Sequence, residues 1–171
     1  MRGNASPRIF RVLIPAKDLE TSRRFYGALL GVRGRRVAPG RVYFDAGGVI
    51  VGVLDFSGAD ASEFSPPTEA LYFATHELDA VFRRAEALGC LSSEIIHNDP
   101  DSPAGEIVVR PWGERSFYAK DPSGNPLCFV DETTLFTGTA GQVAALARPK
   151  ARRAPPRRGR SRGQGTVRRA A

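Results

Sequence analysis

The same punctuation occurs twice along this chain, and a unit that repeats in order leaves few folds open. Asp18-Leu19-Glu20 opens a helical stretch that Gly31 closes, and Glu77-Leu78-Asp79 opens a second that Gly89 closes. Leu19, Tyr26, Leu29 and Leu30 share a face of the first; Leu78, Val81, Phe82, Ala85 and Leu88 share a face of the second. A capping acid, an apolar stripe and a terminal glycine together predict an amphipathic helix. A short apolar run precedes each helix, at 8–16 (RIFRVLIPA) and 71–75 (LYFAT). Three strand-like runs follow each, at 32–37, 41–46 and 49–55, then at 93–97, 114–120 and 126–131, with 107–110 also extended. Pro39-Gly40 and Gly47-Gly48 separate the early runs as turns do in an antiparallel meander. Leu54-Asp55 and Val130-Asp131 end the two series. The offset grows from 59 residues (Asp18 to Glu77) to 76 (Asp55 to Asp131), so the second half holds an insertion.

This order predicts an α+β chain of two βαβββ modules, 8–56 and 69–136. A Ser, Gly, Asp and Pro-rich linker, 57–68 (SGADASEFSPPT), joins them, and a tail, 137–171, is expected to be disordered. The net charge of +7 belongs to that tail. Ten of the 25 Lys and Arg lie in 148–171, which has no Asp or Glu, leaving 15 basic against 18 acidic residues elsewhere, a net of −3. An Arg-rich tail of this kind offers weak, nonspecific binding of nucleic acid or another polyanion through counterion release. A solvated tail without a partner is the plainer alternative. No apolar run is long enough to span a membrane, and residues 1–7 lack a secretory signal's apolar stretch. Cys90 and Cys128 alone make neither a disulfide framework nor a zinc site, so a reducing cytoplasm is the expected compartment.

The stretch KDLETSRRFYGALLG and the later block WGERSFYAKDPSGNPLCFVDE carry a resemblance. With the βαβββ repeat, from about residue 8 to 132, they resemble the glyoxalase/bleomycin-resistance/dioxygenase (vicinal oxygen chelate) superfamily. The resemblance implies paired, curved mixed sheets around a cleft, with helices on the convex face. It also implies four metal ligands on the concave face of enzyme members, one in the first and one in the last strand of each module. Seven residues before each helix-opening acid stand Arg11 and Ala70. Four residues after the glycine of the Asp121-Pro122-Ser123-Gly124-Asn125 turn stands Cys128, and the repeat carries that position to Gly52. A guanidinium, a methyl, a hydrogen and one thiol make no divalent-metal site, so neither metal nor cofactor is expected.

The resemblance further implies a lining for the cleft. Fosfomycin-resistance transferases share the Ser-Phe-Tyr before the turn, which turns Ser116 and Tyr118 inward beside Cys128 and Phe117 outward. Bleomycin-binding members keep an aromatic residue near Trp112 against a planar ligand, with Tyr43 as a second wall. Arg11 at a former ligand position suits an anionic group. Each assignment has a packing alternative: a buried tryptophan, an edge arginine, a small apolar cysteine. The expected ligand-binding residues are therefore Arg11, Tyr43, Trp112, Ser116, Tyr118 and Cys128, with no catalytic residue. The leading expectation is a metal-free protein that binds and sequesters a small organic molecule, antibiotic or metabolite. The alternatives are a lyase, isomerase, thiol transferase or extradiol dioxygenase of the same family with an altered donor set, or a polyanion binder acting through its tail. Relatives imply a homodimer, with the cleft inside one chain or between two.

Overall fold

The computed structural model describes residues 9–58, 64–94 and 103–146. One order of elements occurs twice. The first series is β1 (Arg11–Ala16), α1 (Leu19–Leu30), β2 (Arg35–Ala38), β3 (Arg41–Asp45) and β4 (Ile50–Asp55). The second is β5 (Leu71–Thr75), α2 (Leu78–Ala87), β6 (Val108–Val109), β7 (Arg115–Lys120) and β8 (Pro126–Asp131). They form two four-stranded mixed sheets, ordered β1-β4-β3-β2 and β5-β8-β7-β6, neither closed on itself. β1 runs parallel to β4 and β5 parallel to β8, while the remaining neighbours are antiparallel. This is the α+β architecture expected from the repeat.

Local chemistry sets the helix ends. The Asp18 carboxylate accepts from the backbone N–H of Glu20 at 3.0 Å and of Thr21 at 2.9 Å, and the Thr21 bonds foremost lower its pKa. Gly31 ends α1 at φ 69°, a conformation open to glycine at little cost. Glu77 stands at the start of α2 without a side-chain capping bond. Both helices lay their apolar stripes on the sheets, and the two modules share one core cluster. Tyr26 meets Phe44 at 5.8 Å, while Phe117 stacks on Phe129 at 5.2 Å beneath Phe82 of α2. Each such buried ring contributes about 1.5–3 kcal/mol of transfer free energy.

The Asp121–Asn125 turn does more than reverse the chain. Its Asp121 carboxylate is buried and accepts from Ser123 N (2.9 Å), Asn125 N (2.8 Å), Asn125 Nδ2 (2.7 Å) and the Tyr26 hydroxyl (2.9 Å). Asn125 Nδ2 also donates to Pro15 O at 2.8 Å, and Lys17 N donates to Ser123 Oγ at 3.0 Å. A turn of the second module is thus bonded to the first strand and first helix of the other.

Three expectations are corrected. The strand expected at 32–37 begins only at Arg35. Gly34 passes so close over β3 that a Cβ there would stand 2.7 Å from the Phe44 ring, and regular pairing starts only at Arg35 with Tyr43. The strand expected at 93–97 is absent from its described part. Ser93 and Glu94 are outside any strand, residues 95–97 lie outside the described residues, and β7 pairs with Val108–Val109. Its outer edge is completed piecemeal: Ser92 N donates to Tyr118 O, Lys120 N to Cys90 O, and Tyr118 N to Ala104 O. The tail is the third. Its first residues form a helix, α3 (Ala140–Leu146), outside the unit that ends at Thr137. Alanine-rich sequence favours helix, and Thr139 Oγ1 accepts from Gln142 N. Residues 147–171, with the basic run, and 59–63 of the linker lie outside the described residues. No helix among the described residues is long and apolar enough to cross a membrane.

Candidate functional site

Strand alternation decides which side chains leave the core. On β1, Ile14 and Ala16 are buried under the helices, so Arg11, Leu13 and Pro15 take the opposite face. On β3, Val42 and Phe44 are buried and Tyr43 faces out with Arg11. Leu127 and Phe129 of β8 enter the core, leaving Pro126, Cys128 and Val130 on the open face. Leu13 is 50% exposed there and Tyr72 of β5 is 55% exposed.

Arg11 and Tyr43 form one cluster. Arg11 Nη1 donates to the Tyr43 hydroxyl at 2.8 Å, and its guanidinium carbon stands 4.9 Å from the ring centroids of both Tyr43 and Phe10. Gly52 lies in register between Leu13 and Tyr43, and a Cβ on it would stand 2.8 Å from Leu13 Cδ2 and 3.1 Å from the Tyr43 ring. The space a longer side chain would need at that position is already filled by these neighbours.

Ser116, Tyr118 and Cys128 form the second cluster, on the other sheet. Cys128 pairs in register with Tyr72 on one side and Tyr118 on the other. The Tyr72 and Tyr118 hydroxyls lie 3.2 Å apart. Burial raises the Tyr118 pKa well above a phenol's ordinary value, so its hydroxyl is a neutral hydrogen-bonding group. Burial also pushes the Cys128 thiol up to about 12, against the pull of hydrogen bonds from Tyr118 and Ser116. Cys128 is therefore a thiol, not a thiolate nucleophile, at neutral pH.

Arg110 organises this cluster and was not among the expected site residues. Its guanidinium is buried, donates through Nε to Ser116 Oγ (3.1 Å) and through Nη2 to Ser116 O (3.0 Å), and lies 5.3 Å from the Tyr118 ring centroid. Further bonds to the carbonyls of Pro103, Ala104 and Glu106 hold the insertion against β7. Burial is the main cause of its lowered pKa.

Trp112 lines a cavity of about 440 Å³ with Tyr72, Ala74, Glu114, Val130 and Phe136. Its indole N–H donates to Glu114 Oε2 at 2.7 Å, and Glu114 Oε1 accepts from Phe136 N at 2.9 Å. Tyr72 is thus common to the Trp112 cavity and the Tyr118 cluster. Arg11 and Tyr43 do not line that cavity. Arg115 is held elsewhere, by Asp79 at 2.8 Å and Asp131 at 3.3 Å.

The register puts Arg11, Gly52 and Cys128 on the faces turned from the helices, and Ala70 stands one residue before β5. A guanidinium bonded to a phenol, a glycine enclosed by its neighbours, a methyl and a buried neutral thiol do not fit a divalent cation. No group of three or more His, Cys, Asp or Glu among the described residues could hold one.

The model of the Glyoxalase/Bleomycin resistance protein/Dioxygenase superfamily matches residues 8–129. Proteins of curated function give no match to the chain. Among solved structures, a glyoxalase/bleomycin resistance protein from Albidiferax ferrireducens T118 superposes with a TM-score of 0.56 at 22% identity, over 72% of this chain and 98% of that one. A bleomycin-binding protein complexed with bleomycin gives 0.53 at 15% identity, over 74% and 98%. Lactoylglutathione lyase from Agrobacterium tumefaciens gives 0.51 at 24%, over 74% and 94%. These similarities establish a shared fold, and together with the match over residues 8–129 they mean that this chain belongs to the glyoxalase/bleomycin resistance protein/dioxygenase superfamily.

Proposed function

We propose that the chain binds and sequesters a small organic molecule, an antibiotic or a metabolite, without a metal and without covalent chemistry. The observation that supports this most is the character of the four positions where catalytic members place chelators: Arg11, Gly52, Ala70 and Cys128. Around them the open sheet faces offer stacking and hydrogen bonding instead. Trp112 and Tyr72 supply flat walls, Tyr118 and Ser116 supply hydroxyls, and Arg11 backed by Tyr43 supplies a cation for an anionic edge. In the same reading two copies pair, which covers the half-exposed Leu13 and Tyr72 and brings the Arg11 cluster of one copy toward the Trp112 cavity of its partner.

The test uses Trp112, the only tryptophan, as reporter. Bleomycin and a panel of planar aromatic carboxylates are titrated into full chain purified without chelator, with metal content measured on the same sample. We expect saturable quenching by at least one ligand, unchanged by EDTA, and about tenfold weaker in Arg11→Met or Tyr118→Phe. Stoichiometric zinc, nickel, manganese or iron, or quenching abolished by EDTA, overturns the reading.

A further inference from the structure

Strand β5, at the edge of its sheet, lines a second, larger cavity, of about 640 Å³, that also reaches α1 and α2. Its apolar wall comes from both modules: Val12, Leu29 and Val51 from the first, Phe73, Val81 and Phe129 from the second. Leu29, Val51, Val81 and Phe129 belong to the shared core and Phe73 packs against it. Tyr72, Phe73 and Ala74 of β5 also line the Trp112 cavity, while Arg11, Tyr43, Tyr118 and Trp112 do not line this one. A volume of this size suits a small organic ligand.

One cation enters this wall. Arg84, on the last turn of α2, lies over the left-handed Gly31 that ends α1; a Cβ on that glycine would stand 3.1 Å from Arg84 Nη1. Among the described residues the Arg84 side chain makes no hydrogen bond or ion pair, and its Nε is buried without an acceptor. A buried guanidinium N–H beside an apolar wall with no acceptor is costly, and an anion that reaches it recovers that cost. The other charged groups at the cavity are carboxylates at its exposed rim. Glu132 is paired with His76 at 3.0 Å, and Asp45 accepts from Gly48 N at 3.4 Å. They repel a second negative charge at the mouth.

We infer that this inter-module cavity is a separate binding site for an apolar monocarboxylate, whose hydrocarbon body lies between α1, α2 and β5 and whose carboxylate pairs with Arg84. The site shares the β5 wall with the Trp112 cavity but takes its cation from Arg84, not Arg11, so substitutions at the two arginines tell the two ligands apart. An apolar body with one anionic head describes both free fatty acids and aromatic monoacids, and a comparison of decanoate with naphthoate separates the two sources.

The experiment is calorimetric titration of the full chain with decanoate, naphthoate, acetate and decanedioate. Decanoate or naphthoate is expected to bind the Arg84 site at one per chain, acetate not at all, and decanedioate more weakly than decanoate. Arg84→Gln is expected to lose about tenfold in affinity while keeping the wild-type circular dichroism and thermal midpoint, since no protein bond is removed. Val49→Phe, which fills the cavity from the β3–β4 turn, is expected to weaken decanoate without touching Arg84. Arg11→Met, on the open face, leaves decanoate affinity unchanged. Equal affinity in Arg84→Gln and wild type, or loss in Arg11→Met alone, overturns the assignment. So does absence of binding to the full chain when a version lacking residues 1–8 binds, which assigns the cavity to the chain's own N-terminal residues.

Discussion

The Arg11 guanidinium reaches the Tyr43 hydroxyl, at 2.8 Å, across a strand position where Gly52 has no side chain. The glycine is what lets the ring of Tyr43 and the methyls of Leu13 close over β4. Gly52→Ala therefore forces both to shift. Leu13 is half-exposed and yields readily, so the expected cost is about 1 kcal/mol, the low end for overpacking. Urea unfolding measures it. The larger effect is expected on Arg11: its bond to Tyr43 lengthens, and quenching of Trp112 by anionic ligands weakens as it does in Arg11→Met.

Asp121 is a buried carboxylate with four donors, one of them from the other module. Asp121→Ala leaves three N–H donors and a phenol without an acceptor and is expected to destabilise by about 3 kcal/mol. Tyr26→Phe removes a single donor and costs about 1 kcal/mol. A double-mutant cycle on the pair is expected to show positive coupling, because the two groups share one bond.

Arg110→Met removes the donors that tie the carbonyls of Pro103, Ala104 and Glu106 to β7. Stability is expected to fall by about 3 kcal/mol. Limited proteolysis is expected to cut first between Cys90 and Val108, and Tyr118 loses the cation that lies against its ring. Arg110→Lys restores the charge but not the fork, so it rescues only in part.

These cases show what the sequence could and could not reveal. The Asp18 cap, the Gly31 stop and the Asp121–Asn125 turn are local devices, legible because each acts within a few residues. The turning of Phe117 toward the helices, with Ser116 and Tyr118 opposite, follows from alternation once β7 is recognised. Tyr72 was missed because its face depends on parallel register with Cys128, a partner 56 positions away. Arg110 was missed for a similar reason: nothing in the run Val108-Val109-Arg110 announces that the insertion folds back and buries a guanidinium. That Val108–Val109 is the regular partner of β7 is likewise decided by long-range hydrogen bonds and not by the local run.

Cys128 gives a pH dependence of known sign. Its thiol is pushed from an ordinary value of 9.0 up to about 12 by burial. Above about pH 9 the unfolded chain releases this proton while the folded chain keeps it. The contribution is thus fully present below pH 9 and is lost as pH rises toward about 12. Tyr26 and Tyr118, both raised chiefly by burial, act in the same direction. Denaturant unfolding at a series of alkaline pH values is expected to show stability falling with pH, with a shallower slope in Cys128→Ala. Alkylation by iodoacetamide at pH 8 is expected to spare Cys128 in the folded chain.

The bonds from Asp121 and Asn125 to Tyr26 and Pro15 give the duplicated halves a common fate. A fragment ending in the 57–68 linker would leave Tyr26 without its acceptor, and the complementary fragment would bury a carboxylate short of one donor. Two halves that repeat one order of elements are thereby obligate companions, expected to melt in a single transition, and cutting the linker after folding should leave them associated.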